Sequence, residues 1–376
     1  MAGIYIHIPF CKQACIYCNF HFKAGNHSTQ KMTAAICNEL LLRKHYLENE
    51  QIDTIYFGGG TPSLLTPTEI ATILNTITTT YPVSPSPEIT LEANPDDLNE
   101  NKISSLYKIG INRLSIGVQS FDDKALQWMN RAHTATEAVQ CIKTAQQVGF
   151  DNISLDIITG IPVTDPRQHL QDIEVALSLN PQHLSCYSLT LEPNTSWERL
   201  IRLKHFPRPI EEEQANSFQE TIKQIKSNDW LHYEISNFAL SEKWISKHNS
   251  AYWNHLKYLG VGPSAHSFNG RARRWNLNSH SKYIQSLNAD KEPPHESELI
   301  TPTMAFNEAI LTGIRTSNGI DVKFLMSLLP SETEQLLKKI AKIPLKNQLC
   351  LRNYRITCNE DALLFSDAIA VSLLAD

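Results

Sequence analysis

Cys11, Cys15 and Cys18 stand within eight residues of one another, directly after a run in which Ile4, Ile6 and Ile8 fall on one face of a strand. Thiolates are soft donors that suit iron or zinc, and a loop hung from a fixed strand can wrap three of them around one centre. A closed structural zinc site takes a fourth protein ligand, commonly from a second knuckle of paired Cys or His. No such knuckle is evident. Cys37, Cys141, Cys186, Cys350 and Cys358 are scattered singly in apolar stretches and read as small buried hydrophobes. Three ligands without a fourth leave one coordination position open to a small molecule.

The elements that must position this loop follow from hydrophobic periodicity. Strands are expected at the first run, then at Thr54 to Phe57, Glu88 to Glu92, Arg113 to Val118, Ile153 to Ile158 and Leu184 to Leu189. Helices are expected over 30–49, 67–79, 101–108, 134–148, 166–178 and 211–228, several behind Thr, Ser, Asp or Pro start signals. Six strand-helix units imply parallel pairing through right-handed crossovers. A closed barrel takes eight, so the expectation is an open, partial (β/α)6 barrel in residues 1–238, with ligands at the carboxyl ends of its strands. Residues 239–376 are expected to form a smaller mixed α+β domain. It opens on an aromatic, His-rich region, followed by helices over 303–315 and Ser331 to Ile343, a strand over Gln348 to Thr357 and a closing helix over Glu360 to Leu374, an order like that of a winged-helix module.

The notable polar residues fall where strands end. Gly58, Gly59 and Gly60 before Thr61 let backbone approach a ligand, because no Cβ intervenes; a tight turn that merely fits is the plainer reading. Arg131 could grip a carboxylate in a bidentate fork and Asp156 could accept from ribose hydroxyls, with Gln119 beside them. His248, in His248-Asn-Ser-Ala-Tyr-Trp253, could ligate haem iron while the rings cover a macrocycle; alternatively it is a hydrogen-bonding residue amid packed aromatics.

A net charge of -5 gives no general reason to expect nucleic-acid binding. There is no apolar run long enough to cross a bilayer, and the first residues read as a strand rather than a signal peptide. Eight cysteines in 376 residues do not suggest a disulfide scaffold, and an exposed thiolate cluster suits a reducing compartment, so a cytoplasmic protein is expected.

Taken together, Cys-x-x-x-Cys-x-x-Cys, Tyr5-Ile-His-Ile-Pro-Phe-Cys, Gly58-Gly-Gly-Thr-Pro-Ser, Asn112-Arg-Leu-Ser-Ile-Gly-Val-Gln-Ser-Phe, Leu155-Asp-Ile-Ile-Thr-Gly-Ile-Pro and Gly260-Val-Gly-Pro-Ser-Ala resemble the HemN/HemW branch of the radical S-adenosylmethionine (SAM) superfamily. The resemblance implies a [4Fe-4S] cluster on Cys11, Cys15 and Cys18 whose fourth iron is chelated by SAM. Tyr17 would lie near the adenine, with Tyr5, Gly59, Gly60, Thr61 and Glu92 around the cofactor. Gly60 stands where the superfamily carries Glu, which shifts the charge-neutralising task to Glu92. Gln119, Arg131 and Asp156 match positions that hold a second SAM in the coproporphyrinogen-oxidising members. Those members carry a further cysteine where this chain has Phe20, and the His248 run matches that of HemW-type haem chaperones. The implied function is haem binding and delivery to acceptors such as respiratory enzymes, with an electron donor, a transient membrane-protein partner and a homodimer as further expectations. The competing readings are oxygen-independent coproporphyrinogen III oxidation and a non-catalytic zinc-thiolate protein.

Overall fold

A computed structural model of the chain describes residues 2–25, 28–206, 208–342 and 347–375. Six strands, β1 (Ala2–Ile8), β2 (Ile52–Gly59), β3 (Val83–Ala93), β4 (Arg113–Gln119), β5 (Ile153–Thr159) and β6 (His183–Ser188), pair in parallel in chain order. Side chains alternate across a strand. One face of the set is aliphatic: Ile4, Ile6, Ile8, Ile55, Phe57, Leu91, Leu114, Ile116, Leu155 and Ile157 are buried in a single core. Helices α1 (Thr29–Leu42), α2 (Pro67–Thr80), α3 (Glu100–Lys108), α4 (Asp123–Trp128), α5 (Ala135–Val148) and α6 (Gln168–Ser178) follow the first five strands, and α7 (Ser196–Arg202) and α8 (Glu211–Lys226) follow the sixth. Their starts are written in the sequence: Thr66 with Glu69, and Thr134 with Glu137, form capping boxes that satisfy the first free amides.

The opposite face of the strands is polar. In register across the sheet lie Tyr5, Tyr56, Thr90 and Arg113, and one row higher Glu92, Ser115, Ser154 and His183. A sheet that spends its inner face on hydroxyls, carboxylates and a guanidinium forgoes apolar burial there, which marks that face as a binding lumen.

The sheet runs on past residue 238. Beyond β6 it gains β8 (Asn237–Ala239) and β7 (Leu231–Glu234), both antiparallel. On the other side, after α9 (Lys247–Trp253), β9 (Tyr258–Val261) pairs in parallel with β1, and β10 (His266–Phe268), β11 (Ala272–Asn276) and β12 (His295–Leu299) extend it to twelve strands. The region expected to be irregular thus adds a seventh parallel strand to the barrel wall. A buried carboxylate pins it: Glu39 of α1 accepts from Arg43 Nη1 (3.0 Å), Gly262 N (2.9 Å), Asn276 Nδ2 (2.8 Å) and Tyr283 Oη (2.7 Å), the last on α10 (His280–Leu287).

A second apolar core holds α11 (Pro302–Gly313), α12 (Val322–Leu328), α13 (Pro330–Ile340) and α14 (Ser366–Leu373), with Phe306, Ile310, Ile356 and Leu373 buried together. The strand expected over Gln348 to Thr357 is a hairpin, Leu349–Arg352 with Arg355–Cys358, turned at Asn353 and Tyr354, both at positive φ (49° and 61°). The closing helix is preceded by a 3-10 turn over Glu360–Phe365, and the expected end of α13 at Ile343 lies outside the described residues. No helix among the described residues is long and apolar enough to cross a membrane.

Candidate functional site

The cysteine loop leaves β1 through Pro9 and is pinched at its base, where Phe10–Cys11 pairs with Lys23–Ala24. Its far side is fastened to the α4–α5 corner. Gln13 Nε2 donates to Asn130 O (2.8 Å), Asn130 Nδ2 donates to Ala14 O (2.7 Å) and Ile16 N to Met129 O (3.3 Å). Asn130 sits at φ 58°, a conformation asparagine tolerates better than most residues. Lys12 anchors the loop to Asp96 at 2.6 Å and also to Asp97.

All three thiols are free and partly exposed, and they open on one cavity of about 510 Å³ at the carboxyl ends of the strands. Burial pushes the Cys11 thiol up to about 11, against a 3.4 Å hydrogen bond from Thr61 Oγ1. Arg131 Nη1 lies 3.5 Å from Cys15 Sγ, while its Nη2 donates to Asn94 Oδ1 (2.6 Å) and Gly117 O (2.8 Å). Its Nε is buried without a partner, a donor left over for a ligand.

Glu92 and Asp156 line the same cavity, as does Glu192. Burial raises Glu92 to about 7, although Tyr56 Oη (2.8 Å) and Gly59 N (3.1 Å) donate to it. Burial likewise raises Asp156 to about 6, with Ser115 Oγ at 3.2 Å. Each would ionise more readily beside a cation. Gln119 reaches the cavity from a bulged strand end, at φ 68°. The donor set fits the groups the resemblance implies: thiols for iron, a guanidinium for a carboxylate, and carboxylates for an ammonium or sulfonium.

Tyr17, Gly59, Gly60, Thr61, Glu92, Gln119, Arg131 and Asp156 therefore share one cavity with the cysteines. Tyr5 does not line it. Its hydroxyl contacts His7 Nδ1 at 3.1 Å and its ring stacks with Tyr56 below. The glycine run has a reason inside the protein: a Cβ on Gly59, at φ 109°, would meet the His7 ring at 2.6 Å, and one on Gly60 the Phe10 carbonyl at 2.6 Å. The turn lets the cysteine-loop stem cross close to β2.

His248 stands apart from this group. It is 2% exposed, at the start of α9, and its ring nitrogens bond Thr54 Oγ1 (2.8 Å, Nδ1) and Tyr252 Oη (3.0 Å, Nε2). Glu88 accepts from its backbone N–H at 3.0 Å. Thr54 lies four residues before Gly58, about 13 Å down the strand from the cavity at roughly 3.3 Å per residue. Both ring nitrogens are engaged in hydrogen bonds within the protein, and His248 does not line the cysteine cavity. Asn94, Ser115 and Asn130 are the site residues that sequence reasoning passed over. The run Glu92-Ala-Asn-Pro95 was a signal for the first; the other two look like ordinary polar residues.

An open parallel barrel with a three-cysteine loop at its carboxyl face defines the class of barrels that carry a metal cluster beside a small cofactor. Residues 5–175 match the model of the Radical SAM superfamily. The chain is 32% identical over 349 residues to the heme chaperone HemW of Bacillus subtilis, covering 90% of this chain and 92% of that protein. It is 34% identical over 266 residues to the heme chaperone HemW of Escherichia coli, covering 70% and 69%. It is also 30% identical over 398 residues to the mitochondrial radical S-adenosyl methionine domain-containing protein 1 of Bos taurus, covering 100% and 87%. The structure of coproporphyrinogen III oxidase (HemN) from Escherichia coli superposes with a TM-score of 0.85 at 20% identity, over 100% of this chain and 90% of that one, a likeness of fold. The chain belongs to the radical SAM superfamily and, within it, to the HemN/HemW branch.

Proposed function

We propose that this chain holds a [4Fe-4S] cluster on Cys11, Cys15 and Cys18, binds SAM in the cavity beside it, and takes up haem for delivery to haem-requiring proteins. The observation that carries the first part is the meeting of three free thiols, the Arg131 fork and two half-buried carboxylates, Glu92 and Asp156, around one cavity. When bound, the cluster would supply an electron to the SAM sulfonium, chemistry that belongs to the cofactors. The protein's part is to position. Arg131, next to Cys15, suits the SAM carboxylate; Glu92 and Asp156 suit its ammonium and ribose; Tyr17 suits the adenine. Tyr5 acts behind them, through His7.

The haem part rests on likeness to the two HemW proteins, together with Phe20 in the position where the oxidising members carry a cysteine. This reading requires haem-accepting proteins, respiratory enzymes among them, and an electron donor. The test is anaerobic titration of the reconstituted protein with haem, followed by transfer to an apo-haem protein. A shifted Soret band that passes to the acceptor supports the reading. Absence of haem binding, or robust conversion of coproporphyrinogen in the presence of SAM and reductant, overturns it.

A further inference from the structure

We infer that Arg113 is a positioning residue for SAM, acting through Glu92 and Asp156 as their shared buried counter-charge; the assignment deepens, and rests on, the SAM-binding reading above. Arg113 opens β4 on the lumen side, opposite Thr90 of β3. Two residues on, Ser115 faces Glu92 across the same strand pair and donates to Asp156 Oδ1 at 3.2 Å. Side chains two apart in a strand share a face. By register, therefore, Glu92 stands one row and Asp156 two rows above Arg113, toward the cavity.

The Arg113 side chain is 1% exposed, and its Nε is buried without a hydrogen-bond partner. Thr90 Oγ1, in register beside it, is buried and unpartnered as well. A buried cation left incompletely paired lowers stability, and an apolar side chain of similar volume would fill the lumen without that penalty. What Arg113 provides instead is a positive charge that no change of pH in the working range removes. The lumen histidines do not provide it: burial first and Arg113 second lower both His183 and His248, which are therefore neutral rings.

The charge acts where the cofactor groups would bind. Burial raises Glu92 to about 7 and Asp156 to about 6, and Arg113 opposes burial at both. Glu92 is also faced by the Tyr56 hydroxyl and Gly59 N–H, which favour its ionisation, and by Asp156, which works against it. The phenols of Tyr5, Tyr187 and Tyr252 face Glu92 too, and burial keeps them protonated. Asp156 is helped by the Ser185 and Ser115 hydroxyls and by Arg131, whose fork is already committed to Asn94, Gly117 and Cys15 at the mouth. Arg113 is thus the cation beneath both carboxylates. Without it, two acids would share one lumen and take up protons more readily, and a protonated acid does not attract an ammonium.

The test is the SAM affinity of the cluster-reconstituted full chain from pH 6 to 9, measured by calorimetry for wild type, Arg113→Gln and Arg113→Lys. Iron and sulfide content serves as the check that the fold and cluster loop survive. Arg113→Gln should move the midpoint of the affinity profile up by about one pH unit, weakening SAM about tenfold at pH 6 while leaving affinity at pH 9 near that of wild type. Arg113→Lys, which keeps the charge, should keep the wild-type midpoint. Where Arg113→Gln does not fold, the double variant Arg113→Gln/Asp156→Asn compared with Asp156→Asn alone reads the same upward shift at Glu92. Equal weakening at every pH, an unchanged profile, or a shifted midpoint in Arg113→Lys overturns the assignment while leaving SAM binding in place. A wild type that carries the cluster and binds no SAM overturns the reading on which the assignment rests.

Discussion

Arg131 holds its guanidinium 3.5 Å from the sulfur of Cys15, fixed there by Asn94 and Gly117. A cation beside a thiolate favours the more negative, reduced state of whatever the thiolate binds. Replacing Arg131 by Met should lower the midpoint potential of the reconstituted cluster by roughly 40 mV, the one-electron equivalent of about 1 kcal/mol. It should also weaken SAM binding. Redox titration followed by electron paramagnetic resonance checks the first effect, and equal potentials in the two proteins would remove Arg131 from the account.

Glu92 sets a pH dependence of definite sign. Burial raises it from 4.5 to about 7, so the folded chain binds a proton in that interval which the unfolded chain releases. The contribution is present below pH 4.5 and is lost as pH rises through 7. The stability difference between wild type and Glu92→Gln, without SAM, should therefore grow by about 1 kcal/mol on lowering the pH from 8 to 6. Binding a cation beside Glu92 expels the proton, so SAM affinity should rise about tenfold over the same range upward. Urea unfolding and calorimetric titration at the two pH values measure both.

How far this was legible depends on what the local sequence records. β1 to β6 announce themselves because aliphatic residues alternate and each strand is followed by a helical stretch, some of them capped. The pairing of β9 with β1 joins residues some 255 apart through a four-residue run, and nothing local in Tyr258–Val261 says which strand it will meet. The hairpin after Leu349 escaped because Tyr354 takes positive φ, where a glycine would have signalled a turn. The cysteine loop was readable from spacing alone, since three soft ligands in eight residues have few other uses. At His248 the motif records residue types but not depth. The same His-aromatic run serves a buried stack as well as a ligand face.

Glu39 offers a test of the barrel wall. It is fully buried and gathers four donors from α1, the Gly262 turn, β11 and α10. Glu39→Gln leaves Arg43 as an uncompensated buried cation and should cost roughly 3 kcal/mol. The urea midpoint should fall with the slope unchanged, and the iron content of the reconstituted protein should fall with it, because Gly262 packs against the His7 backbone beneath the cysteine loop.

For His248, the prediction separates structure from ligation. His248→Ala removes one buried and one partly buried hydrogen bond and a ring stacked on Tyr56 at 4.8 Å, which should cost about 2 to 4 kcal/mol in stability. The Soret spectrum of the haem complex should be that of wild type at temperatures where both are folded. A changed axial ligation would assign His248 as a ligand.

The most direct measurement is metal and acid-labile sulfide analysis after anaerobic reconstitution. Wild type should be brown and carry about four irons and four sulfides per chain, and replacing Cys11, Cys15 or Cys18 by Ala should abolish that content. A colourless protein holding one zinc and no sulfide would contradict the account at its root.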